Sequence, residues 1–467
     1  MLLRFFRIND PYRLLGLLII IILISLPFFI MPVGIMLSEL KYLVLGEAMA
    51  NGKLMYVQVF DDTPPLASVL FGFKHLIFGK SLLAGHILAV FIIIFQSSYF
   101  AILLINNKAY AENTYLPSLI FGLLCFFSFD LLSFSPELLA STVLLFAINQ
   151  LFHEIEFKIQ RDEITLKLGV YLGLATFLVF SYWVFLLLTI FILITFTRAG
   201  FRKIALMVFG FILPHAVLFT LYFYKGETNL LLRNFYLSNL TLSGEMLVSS
   251  KGLFVLAALP LAYFVFSVFM MNREARFTKY QSQLMQVMFL WLLFALIQVL
   301  VARQVSPASL ITFIPPFAYF ISHYLLLIRR KWRAELMLWL FLAGIVSVNL
   351  LSRSGRIMSV DFTSLFPKTN SSSNQITEKR ILVLDKNLNV YQHNSLGGYF
   401  LDWELSSPIF ADLSQYHHVE IISSCFDEDP PEVIIDNNNL MEGVIQRIPS
   451  IGIAYRREGN IYKKISN

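Results

Sequence analysis

Blocks of about twenty apolar residues recur along the first 352 positions of this chain, and they constrain its fold more than any other feature. A helix of about twenty such residues is what crosses ~30 Å of hydrocarbon. The first block, 14–31, follows a segment carrying Arg4, Arg7 and Arg13. It is too long for a signal-peptide core, and no small-residue cleavage site follows it, so it reads as an uncleaved first span. Further spans are predicted at about 83–105, 115–132, 138–152, 168–181, 183–197, 204–224, 253–271, 284–302, 308–328 and 335–352, eleven in all. Only Ser181-Tyr182 marks a bend within 168–197.

Composition agrees. Of the residues, 57% are hydrophobic and 14% charged, where soluble domains carry roughly 25% charged. A soluble enzyme, a disordered chain and a disulfide-stapled secreted module are thereby excluded. The net charge of +6 is uneven: positions 353–467 hold 11 Lys/Arg against 14 Asp/Glu, or −3, leaving +9 for the rest. Basic excess in a multi-span chain signals cytoplasmic loops, not nucleic-acid affinity. The loops predicted cytoplasmic hold Lys158, Arg161, Lys167, Arg198, Arg202, Lys203, Arg273, Arg276, Lys279, Arg329, Arg330, Lys331 and Arg333, whereas the short alternate loops near 133–137, 182 and 303–307 offer only Arg303. The N-terminus is therefore expected in the cytoplasm. The first long loop (32–80), the loop at 225–252 and the tail are expected outside. Cys125 lies in an apolar block and Cys425 in the polar tail, so no disulfide is expected.

The expected fold is an α-helical polytopic membrane domain over 1–352, with about eleven transmembrane helices and a first outer loop at 32–80. A small extracytoplasmic α/β domain follows over 353–467. A Ser/Asn linker at 370–374 leads into β-like runs at 380–384, 432–436 and 451–455, and Glu458-Gly459-Asn460 suits a hairpin turn before Ile461. The tail has no Gly-rich phosphate loop, and its one histidine pair, His417-His418, reads as solvated surface.

The first outer loop is the most informative segment. Positions 38–50 suit a short helix that stops at Asn51-Gly52, and Pro64-Pro65 starts a second rigid segment that runs to Phe78-Gly79. Glu39, Glu47, Asp61 and Asp62 gather carboxylates beside the membrane, where general-base or cation chemistry is natural. An acid just after the first span, the element Gly52-x-x-x-Tyr56 and Asp62-Thr63-Pro64-Pro65-Leu66 together resemble the GT-C superfamily. Its protein O-mannosyltransferase and lipid A aminoarabinose transferase branches are the most similar. Ser306 through Pro315-Pro316 into His323-Tyr324 is similar to that family's late span.

The resemblance implies an integral-membrane, inverting glycosyltransferase that takes its sugar from a polyprenyl-phosphate donor at the outer face, in a bacterial inner membrane. Glu39 is then the expected base, with Asp62 and Glu137 as further catalytic acids. Arg303 and Arg233 would bind the leaving phosphate, with Asp61 and Tyr56 at the substrate, and Lys225 could add to the anion site. Relatives differ on metal: some hold a divalent cation with the loop carboxylates and others use none, so a divalent cofactor stays open. The partners implied are the lipid-linked donor and membrane lipid.

Two positions depart from the family pattern. Ser38 stands where an Asp usually precedes the Glu, and Thr63 where a Lys often precedes the first Pro. They favour an alternative, a non-catalytic relative serving as a structural subunit or partner of a cell-envelope complex. Each candidate also has a plainer reading. Asp61 and Asp62 suit turn caps, Glu137 a helix N-terminus, and Arg303 a side chain snorkelling to head groups. Asp130 can simply face the loop, and His215 and His323 read as packed bundle histidines. A transporter would show paired half-repeats, and none is visible.

Overall fold

A computed structural model describes residues 1–467 except 157–160, 198, 242–243, 275–276, 358–359, 368–375 and 466–467. The expected linker at 370–374 lies outside the described residues. Among them, nine helices are long and apolar enough to cross a membrane: Arg13–Ile30, Leu82–Asn106, Pro136–Glu156, Phe180–Thr197, Phe201–Tyr224, Ser250–Glu274, Lys279–Val301, Pro307–Leu327 and Lys331–Arg353. This is a polytopic integral membrane protein of helical architecture, as the apolar blocks predict.

Two expected spans take a different form. Positions 115–132 form helix Leu116–Leu124, then an irregular stretch, then a 3-10 turn at Phe129–Leu132. The helix is buried along its whole length. Broken backbone is tolerated in such surroundings when neighbours satisfy its polar groups, and Asn349 Nδ2 donates to the Phe126 carbonyl at 2.8 Å. Positions 168–181 belong to helix Asp162–Thr176, which has only 15 residues. Its bend falls at 177–179, ahead of the Ser181-Tyr182 that the sequence offered. A 3-10 turn, Phe180–Trp183, then opens the next span.

The chain divides into two compact units, Met1–Val33 with Leu83–Val217 and Leu242–Ser364, and Gly34–Leu82 with Leu218–Thr241 and Leu365–Asn467. The first contains most of the spans. Its helices approach closely where glycines allow it: a Cβ on Gly169 would lie 2.1 Å from the Met207 carbonyl oxygen. Two charges are buried there as a pair, Lys203 Nζ on Glu154 Oε2 at 2.9 Å, with Thr165 donating to the other oxygen at 2.5 Å. Pairing with full hydrogen bonding is what makes such burial tolerable. Short strands β1 (Glu245–Met246) and β2 (Gln304–Val305) pair in parallel.

The second unit joins the first long loop, 34–82, to the tail. Loop helices Leu37–Ala50 and Pro65–Phe78 pack on each other, with Tyr42 stacked on Phe71 at 4.5 Å. The first helix ends at Asn51-Gly52, where Gly52 has φ +81°, and the second starts at Pro65, whose missing N–H costs a first turn nothing. The tail folds as a five-stranded sheet of β3 (Arg380–Val383), β4 (Ser395–Leu396), β5 (Val433–Ile435), β6 (Tyr455–Glu458) and β7 (Ile461–Lys464). Its order is β4-β3-β5-β7-β6. The first three strands are parallel, and β7 runs antiparallel to β5 and β6. Leu382, Ile434 and Tyr462 meet Ile422, Cys425 and Phe426 of helix Tyr416–Glu428 in its core. The hairpin turns at Gly459, φ +68°. The run at 451–455 is mostly not a strand: Pro449–Ala454 is a helix with Pro449 at its start, and β6 begins only at Tyr455. Proline pre-sets a helical φ, and a short alternation of apolar residues does not outweigh it.

Candidate functional site: a carboxylate cluster around Lys41

Loop residue Phe60 joins the tail by a parallel bridge to Phe400. Its amide donates to the Tyr399 carbonyl at 2.7 Å, and the Asp402 amide donates to the Phe60 carbonyl at 2.9 Å. The residues that follow on each strand are Asp61 and Asp62 on one side and Asp402 on the other, so the bridge itself gathers three carboxylates. One oxygen from each lies within 4.8 Å of the others, and among the described residues no other group of this kind could hold a metal ion.

Lys41, from the middle of helix Leu37–Ala50, reaches into this cluster. Its Nζ stands 3.0 Å from Asp61 Oδ2, 2.8 Å from Asp62 Oδ1 and 3.8 Å from Asp402 Oδ2. Burial would lower its pKa, but Asp61, Asp62 and Asp402 together outweigh burial and hold the ammonium well above the usual lysine value. Further bonds fix these three residues. The Thr63 amide donates to Asp61 Oδ1 at 2.7 Å, Asn239 Nδ2 to the Asp62 carbonyl at 2.9 Å, and the Glu404 amide to Asp402 Oδ1 at 2.8 Å. Asp61 is fully buried, and Asp62 is only 9% exposed.

Tyr56 braces the same turn from below. It sits at φ +67°, a left-handed conformation that L-residues other than Asn and Asp seldom adopt. Its hydroxyl donates to the Thr63 carbonyl at 2.8 Å, and its own carbonyl accepts from Asn234 Nδ2 at 2.8 Å. Burial first, then Tyr222 and the two aspartates, keep the phenol protonated far past its usual range. Arg233, partly exposed, lies beside Asn234 in the π-helical turn Leu232–Leu237. Glu39 is buried at the third position of its helix, where one oxygen accepts the Met36 amide at 3.1 Å. An acid here is stabilised by the helix N-terminus.

Two cavities flank these residues. One, of about 350 Å³, is lined by Glu47, Asn51, Lys53, Arg380 and Asp429 among others. Lys53 donates to Asp429 at 2.5 Å and to the Gly398 carbonyl at 3.0 Å, while Arg380 pairs with the same Asp429. Burial, and then the Arg380 guanidinium, bring Lys53 down to about 8. The second, of about 780 Å³, is bordered by Gln58, Tyr224, Lys225, Tyr399, Glu420 and Glu428. His417 also lies on it, exposed near Glu420, whereas His418 bonds the Asp412 carbonyl at 2.8 Å.

The other candidates belong to the membrane-spanning unit. Glu137 is the second residue of span Pro136–Glu156, directly after Ser135, whose hydroxyl accepts the Leu138 amide at 3.3 Å. Asp130 accepts from Ser128 Oγ at 2.6 Å and from the Ala308 amide at 2.7 Å, which fastens the turn at 129–132 to the loop entering the late span. Arg303 starts that loop, and its carbonyl accepts the Glu245 amide at 2.8 Å. His323 packs among Tyr110, Tyr319 and Phe277, and His215 among Phe177 and Phe211 with Thr176 at 3.0 Å. Cys125 and Cys425 are buried free thiols.

Sequence reasoning assigned no role to Lys41 or Asp402. The only local signal was for Asp402, an acid directly before Trp403-Glu404 in the pattern of a helix N-cap.

No protein-family model matches the chain, and no curated protein matches it. Solved structures do. The crystal structure of ArnT from Cupriavidus metallidurans bound to undecaprenyl phosphate superposes with a TM-score of 0.56. That match covers 97% of this chain and 98% of that one, at 11% identity. The apo state of ArnT gives 0.55, with 96% and 97% covered, also at 11% identity. An archaeal oligosaccharyltransferase, AglB from Archaeoglobus fulgidus in complex with an inhibitory peptide and a dolichol-phosphate, gives 0.47 at 11% identity, covering 98% of this chain and 74% of that one. The chain has an ArnT-like fold.

Proposed function

We propose that this protein is a membrane glycosyltransferase that moves a sugar from a polyprenyl-phosphate donor to an acceptor hydroxyl at the outer, extracytoplasmic face of a bacterial inner membrane. One observation carries the reading: a likeness along nearly the whole chain to ArnT, a protein captured with undecaprenyl phosphate. Fold alone does not fix chemistry. The carboxylates of the first outer loop and the cation Arg303 supply it.

In this reading a carboxylate, with Glu39 first and Asp62 and Glu137 as further acids, takes the acceptor hydroxyl proton. The acceptor oxygen bonds to the anomeric carbon as the carbon–oxygen bond to phosphate breaks. Polyprenyl phosphate leaves with the electron pair, and the anomeric configuration inverts. Arg303, with Arg233, neutralises the charge that develops on the leaving phosphate, which lowers the barrier.

Glu39→Gln is the discriminating variant. A glutamine still offers an oxygen to the Met36 amide, so the helix cap survives while the base is lost. Turnover with a polyprenyl-phosphate sugar is expected to fall by about two orders of magnitude or more, the range of a general base. Unchanged turnover would rule out Glu39 as the base. Arg303→Ala is expected to weaken donor binding, and unchanged donor affinity would remove the phosphate role.

A second reading is favoured by Ser38 and by the engagement of the loop acids, since Lys41 neutralises Asp61 and Asp62 and the Met36 amide binds Glu39. It makes the chain a non-catalytic partner within an envelope complex. Absence of donor binding together with stoichiometric co-purification of envelope proteins would select it.

A further inference from the structure

Carboxylates on an outer loop invite a divalent cation, and three oxygens within 4.8 Å are close enough to share one. Calcium takes oxygen ligands at 2.3–2.6 Å and magnesium at about 2.1 Å. The centre that such an ion would need is not open. The Lys41 ammonium stands there, at 3.0, 2.8 and 3.8 Å from the three carboxylates. A divalent ion bound beside it would meet a largely enclosed like charge a few ångströms away, a costly contact where little water screens it. The donor set fits a tethered ammonium and does not fit a metal.

We propose that Lys41 is the resident cation of the Asp61–Asp62–Asp402 cluster and takes the place of a divalent metal there. The ammonium arrives on a helix of the same loop that carries Asp61 and Asp62, so the counter-charge is supplied by the chain and needs no loading. Its spacing to Asp402 also ties the loop turn to the N-cap of tail helix Trp403–Ala411, a link that chelators cannot break. The proposal stands whether or not the chain transfers sugar.

The test uses the full-length protein in lipid nanodiscs, stripped with EDTA and titrated with Mn²⁺, bound manganese being read by electron paramagnetic resonance. Wild type is expected to bind no Mn²⁺ that depends on Asp61. Lys41→Met keeps the unbranched stem as far as Cε and removes the ammonium. It is expected to gain one Mn²⁺ per chain, at least about tenfold tighter than any wild-type binding, and the double variant Lys41→Met/Asp61→Asn is expected to lose it. Thermal melting of Lys41→Met should likewise rise with Mn²⁺ while that of wild type does not move. Wild-type Mn²⁺ binding abolished by Asp61→Asn would overturn the proposal, as would a folded Lys41→Met that binds none. The wild-type titration decides the matter even if Lys41→Met fails to fold.

Discussion

The Phe60 amide donates to the Tyr399 carbonyl at 2.7 Å, so one residue of the first long loop is hydrogen-bonded as a strand of the tail. The link is returned by the Asp402 amide on the Phe60 carbonyl at 2.9 Å. The carboxylate cluster depends on this register, because a slip of one residue would turn each of Asp61 and Asp62 to the face opposite its present one. Hydrogen exchange is expected to show the Phe60 and Asp402 amides protected together, and both should lose protection in Phe60→Pro, which removes the donor. Independent exchange of the two amides would contradict the bridge.

Tyr56→Phe deletes the hydroxyl that holds the Thr63 carbonyl at 2.8 Å. The ring still packs against Phe235 at 5.5 Å between centroids, so the loss is confined to one buried hydrogen bond. A cost of about 1–2 kcal/mol is expected, read as a lower melting temperature with faster exchange across 56–63. No change in either would show that the bond contributes nothing to the turn.

Helix packing in the loop has no room at Gly46, where an added Cβ would lie 2.7 Å from the Phe71 carbonyl oxygen. The neighbour is backbone and cannot move aside cheaply. Gly46→Ala is expected to destabilise the loop helices by about 1–3 kcal/mol, despite the better helix propensity of alanine. A melting temperature equal to or above wild type would contradict that packing.

The Lys41 ammonium is held above the ordinary lysine pKa by its three aspartates, against the opposing effect of burial. A raised folded-state value means that its stabilisation is complete below the unfolded value of about 10.5. It is lost only as pH climbs through the raised value. Measured in EDTA, the difference in melting temperature between wild type and Lys41→Met should stay constant from pH 7 to about 10 and shrink above it. A difference that grows between pH 8 and 10 would show a depressed lysine, and one that stays flat above about 10.5 an unshifted one.

Hydropathy made the membrane architecture legible because a span is a local property: twenty apolar neighbours suffice. It failed where burial inside the protein replaced lipid, as at helix Leu116–Leu124, whose end is broken and whose freed carbonyl at Phe126 is met by Asn349. Punctuation residues were also legible. Asn51-Gly52 ends one loop helix and Pro65 starts the next. Asp61 and Asp62 stood out as acids, yet nothing nearby in sequence announces Asp402, which reaches them through the Phe60–Phe400 bridge. Lys41 was hidden for a related reason. It lies on the helix face turned back toward 61–62, and that direction is set by how helices Leu37–Ala50 and Pro65–Phe78 fold on each other.

The most direct measurement is release of free polyprenyl phosphate from polyprenyl-phosphate sugars by the protein reconstituted in nanodiscs with extracted envelope lipids as acceptors. Mass spectrometry would follow both the released carrier and the glycosylated product. The account predicts carrier and product appearing one for one, and both suppressed in Glu39→Gln. Neither species appearing across a panel of donor sugars, from protein that melts cooperatively, would contradict it.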